Sequence, residues 1–299
     1  MQLVPKNVAF NPLPWAVTSK GFDFESMPPI EEIFRQIREA GFEAIHAEIP
    51  FNRDEATYLS ALRASGLNPA PGYFQASFAN TEELETIIKR AQEAARFHKK
   101  LGLDRIFIAE QFGVEPARMA NPGVGANLDQ VRLARVVEGL NLVADAMALE
   151  GVKPCLHPHV GTLIETEAEI DFVLAGTNEN LLFGPDTGHL AWAGMDPARI
   201  IRRYRSRIGA VHIKDLHASI AENSAAAAKT YQDTMLAHVW TEPGRGDLGF
   251  DSIFEALGGF DGWFVIEVDY SDLGSPESSA EASANWAVSH SKKFSSQNF

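Results

Sequence analysis

Short apolar runs alternate with longer amphipathic segments along most of the chain. Each run is apolar at successive positions, which is typical of parallel strands that are buried on both faces. Eight such runs predict eight strands. They are residues 8–11, 44–48, 68–72, 105–109, 152–157, 181–185, 210–213 and 263–267.

The segments between these runs carry apolar residues at helical spacing. Helix-start signals support them: Asn80 stands three residues before Glu83, and Asp196 is followed by Pro197. Strands that alternate with helices eight times close a barrel, so the pattern predicts an α/β protein with a single (β/α)8 TIM barrel domain over residues 1–299. The predicted helices are residues 30–40, 55–65, 81–101, 128–149, 165–175, 197–204 and 250–257.

An open doubly wound sheet would show the same alternation of strands and helices. That fold binds dinucleotides with a Gly-x-Gly-x-x-Gly turn after its first strand, whereas residues 11–15 are Asn-Pro-Leu-Pro-Trp. Two segments exceed a minimal barrel: a long loop at residues 110–127 and an insertion after strand seven at 217–240, whose alanine content predicts a helix. A polar tail follows residue 270 and contains a predicted amphipathic helix at residues 280–294.

Composition and charge narrow the function classes. The chain has 299 residues, 45% hydrophobic and 22% charged, as expected for a globular protein with a full core. A formal net charge of −14 leaves no basic stripe for a nucleic acid. The single cysteine, Cys155, lies in an apolar run, which favours a buried thiol in a reducing compartment. Because we find no signal-peptide pattern and no run long enough to span a bilayer, we expect a cytoplasmic protein without a membrane partner.

Polar side chains with metal-binding chemistry stand where the apolar runs end. They are His157, His159, Asp186, His212 and Glu267. Because the carboxyl ends of barrel strands converge on one open face, these side chains are expected to meet there. A mixed shell of imidazole and carboxylate ligands suits manganese, cobalt or zinc better than calcium, and magnesium is a poorer match.

Simpler interpretations of these residues remain open. Asp186 could cap a helix, and a single histidine such as His212 in an apolar run could be a core residue. Strand alternation places Lys214 on the same side as His212, which would put a cation beside a metal ligand. Glu267 has no cation near it in sequence, and burying an unpaired carboxylate is costly, so a cation must compensate its charge.

Four patterns occur in order along the second half of the chain. They are Asp186-x-x-His189, Val211-His212-x-Lys214-Asp215, Glu242-x-Gly244-x-Gly246 and Glu267 at the end of strand eight. In this order and spacing the chain resembles the xylose isomerase-like barrels of the sugar phosphate isomerase/epimerase and inosose dehydratase group, over roughly residues 8–270. The resemblance implies a divalent metal held by Asp186, His212 and Glu267, and a polyhydroxylated keto compound bound through its carbonyl and a neighbouring hydroxyl.

Strand five departs from the family pattern. Many isomerases and epimerases of the group have a glutamate there, whereas this chain has His157 in the run Leu-His-Pro-His. Epimerisation in the family uses two facing carboxylates, and only Glu267 of that pair is present. Dehydration beside a ketone needs one base and one acid, and a histidine can serve as either near neutral pH. The run from His157 to Thr162 also resembles that of inosose dehydratases, so the sequence favours elimination.

We expect His157 to be the fourth metal ligand, and the catalytic set to be Glu267, His157, His159 and Lys214. The roles of His157 and His159 could be exchanged. Glu165 is the alternative fourth ligand, and a solvated residue in a first helical turn is its simpler interpretation. The predicted substrate-binding residues are Trp15, Glu48, Glu110, His189, Trp192 and Arg245, with Phe51 and Tyr73 as further aromatic candidates.

The expected function is that of a metal-dependent carbon–oxygen lyase that dehydrates a keto-cyclitol or keto-sugar, similar to inosose dehydratases. The alternatives are a sugar isomerase or epimerase that acts on a ketose and, in another class, a metal-free binding or regulatory barrel. A phosphodiester endonuclease on the same barrel is disfavoured by the acidic charge and by too few histidines for three metals. The expected partner is a small polyol, keto-cyclitol or keto-sugar, and the insertion at 217–240 indicates a homodimer or homotetramer.

Overall fold

A computed structural model describes residues 3–48 and 54–294. Its eight barrel strands lie close to the predicted positions. The predicted aromatic candidate Phe51 lies outside the described residues. The strands are β1 (Val8–Phe10), β2 (Ala44–His46), β3 in two segments (Asn68–Ala70 and Tyr73–Ala76), β4 (Arg105–Glu110), β5 (Lys153–Leu156), β6 (Leu182–Phe183), β7 (Ala210–Ile213) and β8 (Trp263–Ile266).

The eight strands are parallel and are neighbours in chain order around a barrel. Pro71 and Gly72 divide β3, so that its first segment pairs with β2 and its second with β4. Strand β8 pairs with both β1 and β7. Between β6 and β7 the ladder is reduced to isolated bridges, one of which joins Asp186 to His212. The ring of strands is therefore complete, and its closure brings these two residues side by side.

Eight helices form the outer layer of the barrel. They are α1 (Ile30–Ala40), α2 (Glu55–Ser65), α3 (Leu84–Lys100), α4 (Gln130–Leu149), α5 (Glu167–Gly176), α6 (Pro197–Tyr204), α7 (Phe250–Leu257) and α8 (Pro276–Ser289). Helix α8, predicted as a tail helix, packs against α1 and thereby completes the layer. Apolar side chains such as Ile37, Ile45 and Ile266 fill the space between strands and helices. The predicted α/β barrel is confirmed.

Alternation along the strands decides which side chains face the barrel interior. Ala9, Ala44, Phe107, Cys155 and Val265 form part of one apolar cluster within the ring of strands. Residues two positions later on the same strands also point inward, at the carboxyl end of the barrel. These later residues are Asn11, His46, Ala109, His157 and Glu267.

The insertion after β7 is helical, as predicted, and folds over the carboxyl face of the barrel. It contains two short helices, Ala218–Ala226 and Tyr231–Leu236. Tyr231 and Trp240 are buried and pack their rings against Trp192. In the part of the chain that the structure describes, no helix is both long enough and apolar enough to cross a membrane.

Candidate metal centre and active-site cavity

Asp186, His212 and Glu267 converge at the carboxyl ends of β6, β7 and β8. Nδ1 of His212 lies 3.6 Å from Oδ2 of Asp186 and 3.5 Å from Oε2 of Glu267. One ligand atom from each residue lies within 4.8 Å of the other two. All three side chains are buried. Because bonds to zinc are about 2.0–2.2 Å long, donor atoms at this spacing can contact one ion.

Several buried polar atoms of this cluster have no hydrogen-bond partner among the described residues. They are both ring nitrogens of His212, Oδ2 of Asp186 and Nδ1 of His157. A buried polar atom without a partner costs about 1–3 kcal/mol, so a group of them in one place is the pattern of a ligand-binding site. Imidazole and carboxylate donors together fit a divalent ion such as zinc or manganese.

His157 reaches the same cluster from the end of β5. Its ring centroid lies 4.7 Å from that of His212, and one of its ring nitrogens lies within 4.8 Å of a carboxylate oxygen of Asp186. His189 is equally near Asp186, but its ring nitrogens contact a backbone N–H group and Nζ of Lys214. His157 is therefore better placed than His189 to be the fourth side chain around an ion.

Lys214 supplies the cation that Glu267 lacks in its own segment. Nζ of Lys214 donates to Oε1 of Glu267 at 2.7 Å, contacts Asp269, and lies 4.5 Å from the centre of the Trp240 ring. Burial lowers the pKa of Lys214, but Asp269 and Glu267 outweigh burial and hold that pKa above its ordinary value. Burial raises the pKa of Glu267, whereas Lys214 and His212 bring it below its ordinary value. Both groups of the pair are therefore charged.

His159 lies beside the metal cluster on the cavity wall. Its ring centroid is 3.7 Å from that of His189 and 5.7 Å from that of Tyr231 in the insertion. Nδ1 of His159 lies 2.7 Å from the carbonyl oxygen of Val160. Because a carbonyl oxygen can only accept, Nδ1 carries the ring proton and Nε2 has the lone pair. Burial, with a smaller effect of Lys214, lowers the pKa of His159 to about 3, so the ring is neutral.

Of these residues, His157, His159 and Glu267 line a cavity of about 140 Å³ at the open end of the barrel. Glu48 lies at its mouth with a side chain that is 58% exposed, as expected for a residue that meets an entering ligand. A wider chamber of about 580 Å³ shares part of this wall. The cavity is lined by Asn11, Leu13, Phe22, Phe24, His46, Glu48, Tyr73, Gln75, Phe112, His157, His159, Glu267 and Asp269.

Comparison with known proteins places this geometry in a family. The sequence matches the family model described as xylose isomerase-like TIM barrel over residues 34–290, which is most of the chain. The protein belongs to the xylose isomerase-like TIM barrel family. The predicted family is therefore confirmed, and the protein is an enzyme.

Individual relatives agree with this assignment. An inosose dehydratase of Geobacillus thermodenitrificans is 28% identical over 262 residues, which cover 83% of this chain and 87% of the relative. The fold is similar to that of the probable 3-DHS dehydratase AsbF from Bacillus anthracis, with a TM-score of 0.69, 16% identity, and coverage of 93% and 97% of the two chains. It is also similar to the IOLI protein with a bound zinc atom, with a TM-score of 0.68, 14% identity, and coverage of 97% and 100%.

Glu110, predicted to bind substrate, does not line the cavity of this xylose isomerase-like barrel. Phe107 faces the barrel interior, so Glu110, three positions later, faces the helix layer. Its Oε1 accepts the N–H of Phe78 at 3.1 Å, and it lines a separate cleft of about 240 Å³ with Glu115 and Arg132. Burial raises the pKa of Glu110 to about 8. The prediction used the position of Glu110 at the end of its strand, but not the side of the strand that its side chain faces.

The two tryptophans predicted to bind substrate are both buried against neighbouring elements. Trp15 lies in a short 3-10 helix (Leu13–Ala16), is buried, and donates from Nε1 to Gln36 of α1 at 2.7 Å. Trp192 is buried and stacks on Tyr231 with ring centroids 5.2 Å apart. Neither tryptophan lines the cavity, because each faces a neighbouring element that covers its ring.

Arg245 and His189 also lie away from the cavity wall. The side chain of Arg245 is half exposed, and its Nε lies 3.6 Å from Oε2 of Glu242. His189 lies against the ring of His159, which separates it from the cavity. His189 therefore supports His159, and it is not among the residues that line the 140 Å³ cavity.

Glu165, the alternative fourth ligand, is a structural residue. Its carboxylate accepts the N–H groups of Gly123, Gly125 and Gly161 at 2.8, 2.8 and 2.7 Å. It also lies 3.3 Å from the buried guanidinium group of Arg118. These contacts join the loop after β4 to the loop after β5, and they direct the carboxylate away from the metal cluster.

Among the cavity-wall residues that sequence reasoning missed are Asn11, His46 and Asp269. Nδ2 of Asn11 donates to Oε2 of Glu267, and Asp269 accepts the hydroxyl proton of Tyr231 at 2.6 Å. The signal that could have found them is strand alternation, since each stands an even number of positions from an inward residue of its strand.

Proposed function

We propose that the enzyme is a divalent-metal-dependent dehydratase that removes water from a keto-cyclitol of the inosose class or a related keto-sugar. The observation that carries this proposal is a neutral imidazole, His159, beside a charged and fully engaged carboxylate, Glu267, on one cavity wall. Elimination needs a proton-transfer group on one face of the substrate, whereas epimerisation needs one on each face. The inosose dehydratase that aligns with 83% of the chain supports the substrate class.

Asp186, His212, Glu267 and His157 would hold the ion. When bound, the ion supplies a positive charge that polarises the substrate carbonyl and makes the neighbouring C–H bond acidic. The orphaned nitrogen and oxygen atoms of these residues support this assignment. The IOLI protein, which shares the fold, contains a zinc atom, and zinc therefore comes first among the metals to test.

His159 is the residue that moves protons in this proposal. With its Nδ1 proton held by Val160, its Nε2 accepts the proton from the carbon next to the carbonyl. The electrons of that C–H bond form the carbon–carbon double bond, and the bond from the next carbon to its hydroxyl group breaks. The proton on Nε2 then passes to the departing hydroxide, which leaves as water. A single imidazole performs both transfers when both groups lie on the same face of the ring.

Glu267 acts as a ligand and not as the base. Lys214 donates to its Oε1 and Asn11 donates to its Oε2, so both oxygens are engaged in hydrogen bonds. The nearby cations also lower the pKa of Glu267, so the carboxylate stays charged and available to an ion. In this proposal Glu267 is therefore a ligand only. His159 alone performs the acid–base work that the sequence analysis shared among Glu267 and the histidines.

The reaction can be followed by NMR after the purified protein is loaded with zinc, manganese or cobalt and mixed with an inosose in deuterated water. We expect an unsaturated ketone to accumulate as the substrate signals disappear, together with an enone absorbance. Exchange of the α-proton with formation of an epimeric ketose, and no unsaturated product, would establish an isomerase or epimerase instead. If elemental analysis finds no bound metal and chelation leaves the melting temperature unchanged, the protein is a metal-free barrel.

A further inference from the structure

His46 ends strand β2 and lines the cavity with only 1% of its surface exposed. Neither of its ring nitrogens has a hydrogen-bond partner among the described residues. The carbonyl oxygen of Pro71 accepts at most one weak hydrogen bond from the ring, outside the usual geometry, which leaves the other ring nitrogen free to bind a ligand. Because buried polar atoms in folded proteins are nearly always paired, this histidine is placed to bind something that enters the cavity.

A second buried histidine shows how a purely structural residue differs. His98 of α3 accepts the N–H of Gly72 at Nε2 at 2.9 Å, and its Nδ1 lies 2.9 Å from the carbonyl oxygen of Ala94. Both of its ring nitrogens are therefore satisfied within the protein. His46 has the same degree of burial without those contacts, so packing alone does not account for its polar atoms.

The position of His46 also distinguishes it from the metal ligands. Its ring lies edge-on to that of His212 with centroids 5.8 Å apart, but His46 does not belong to either group of ligand atoms that lie within 4.8 Å of one another. It approaches the cavity from β2, whereas His159 follows β5 on the other sheet of the barrel. A ring-shaped substrate between these two histidines would meet them at different atoms.

Glu48 lies beside His46 at the mouth of the cavity. Oε2 of Glu48 is 3.8 Å from Nε2 of His46, which is too long for a hydrogen bond. One hydroxyl oxygen at about 2.8 Å from each atom fits this gap. It would donate its proton to the carboxylate and accept the N–H of the imidazole, so the pair recognises a hydroxyl group in preference to a carbonyl or a methylene group.

We propose that His46 is a substrate-binding residue which, together with Glu48, recognises a ring hydroxyl group of the substrate remote from the carbons on which His159 acts. The assignment rests on the proposed function and adds to it a requirement for a hydroxyl group at this position. His46 acts on binding and orientation and takes no part in proton transfer.

Kinetic measurements on His46→Leu and His46→Gln test the proposal, with an inosose as substrate and zinc-loaded enzyme. For His46→Leu we expect KM to rise about 10- to 100-fold because a buried hydrogen bond is lost, while kcat changes less than about threefold and the metal content stays constant. His46→Gln, whose amide retains a donor, should recover part of the loss. As a matched control, His98→Gln should lower the melting temperature and leave KM unchanged.

Calorimetric titration with myo-inositol, which has the ring hydroxyl groups but no ketone, separates this proposal from the proposed reaction. If the wild type binds myo-inositol but does not dehydrate an inosose, the proposed dehydratase activity is wrong, and a weaker affinity in His46→Leu still supports the binding role.

Unchanged KM and affinity in both variants would overturn the binding role. A fall in kcat at constant KM would also overturn it and would identify His46 as a proton-transfer residue, whereas loss of the metal would identify it as a ligand. Should His46→Leu fail to fold by circular dichroism, His46→Gln decides between these outcomes.

Discussion

The two halves of the barrel face one cavity with different chemistry. On β5 to β8 the inward side chains at the strand ends are ionisable and contact one another: Glu267 lies 3.5 Å from His212 and accepts from Lys214 at 2.7 Å. On β1 and β2 the corresponding residues are Asn11 and His46, and His46 has no hydrogen-bond partner among the described residues. The charged side chains on β5–β8 are placed to pair with one another or with an ion. The side chains on β1 and β2 are placed to form hydrogen bonds with a ligand. In the proposed function, this difference places the reaction on β5–β8 and recognition of the substrate on β1–β3.

The largest effect should come from Asp186→Asn in the ionisable half. The new amide can still accept the N–H of His189, which Asp186 accepts at 2.8 Å, so the cap of the short helix Thr187–Trp192 survives while the charge is lost. We expect the metal content to fall and kcat/KM to drop by about a thousandfold or more. Elemental analysis and steady-state kinetics measure both.

Asp196→Asn is the matched control, because Asp196 caps α6 in the same way and accepts the N–H of Ala198 at 2.9 Å. It should leave the metal content and turnover unchanged. Full metal content and activity in Asp186→Asn would remove Asp186 from the candidate centre and with it the distinction between the two halves.

A second variant, His159→Gln, separates proton transfer from metal binding within the same half. We expect kcat to fall about 100-fold because the proton-transfer group is lost, with the metal content unchanged. His217→Gln, at a partly exposed histidine that pairs with Asp272, should retain full activity. If His159→Gln loses the metal and His157→Gln keeps it, the two histidines have the opposite roles.

The positions of the strands and of the candidate metal ligands could be predicted from the sequence for the same physical reason. Parallel strands in a barrel are buried on both faces, so they appear as apolar runs, and any ionisable residue at the end of a run stands out. Asp186, His212 and Glu267 are such residues, and the structure brings them together. Strand alternation also predicts that Lys214 lies on the same side as His212, and Lys214 there donates to Glu267.

The environments of Trp15 and Glu165 depend on contacts with other segments of the chain, which the pattern of apolar and polar residues does not show. Trp15 turns into the helix layer because Gln36, on a different element, accepts its N–H. Glu165 is held by backbone groups of a loop more than thirty residues earlier in the chain. Glu110 and His46 are different cases, because strand alternation alone would have excluded Glu110 from the cavity wall and included His46 in it.

The contact between the segments that follow β4 and β5 can be tested with Arg118→Met. Arg118, in the loop after β4, donates to Glu169 at 2.6 Å and to the carbonyl oxygen of Thr162 at 2.9 Å, and it lies beside Glu165. Its removal leaves two buried carboxylates without their cation, so the free energy of unfolding should fall by about 4 kcal/mol in urea titrations. The pair Arg132–Glu115, whose side chains are 42% and 15% exposed, provides a comparison.

Arg132→Met should cost at most about 1 kcal/mol, because water screens a pair at the surface. Equal losses in the two variants would mean that the buried cluster contributes nothing beyond a surface ion pair.

The smallest effect concerns Glu110, whose strand β4 lies between the two halves and whose carboxyl faces the helix layer. Burial raises its pKa to about 8 from an ordinary value of 4.5. A raised pKa in the folded state means that the stability contribution is present below about pH 4.5 and is lost as pH rises through 8. Glu110→Gln, whose amide oxygen can still accept the N–H of Phe78, should therefore gain about 2 kcal/mol over the wild type at pH 8.5 and little at pH 5. Glu85→Gln, on the exposed side of α3, is the control, and its free energy of unfolding should depend on pH as that of the wild type does. If Glu110→Gln showed the same pH dependence as the wild type, Glu110 would be ionised and solvated, as a residue of the cavity mouth would be.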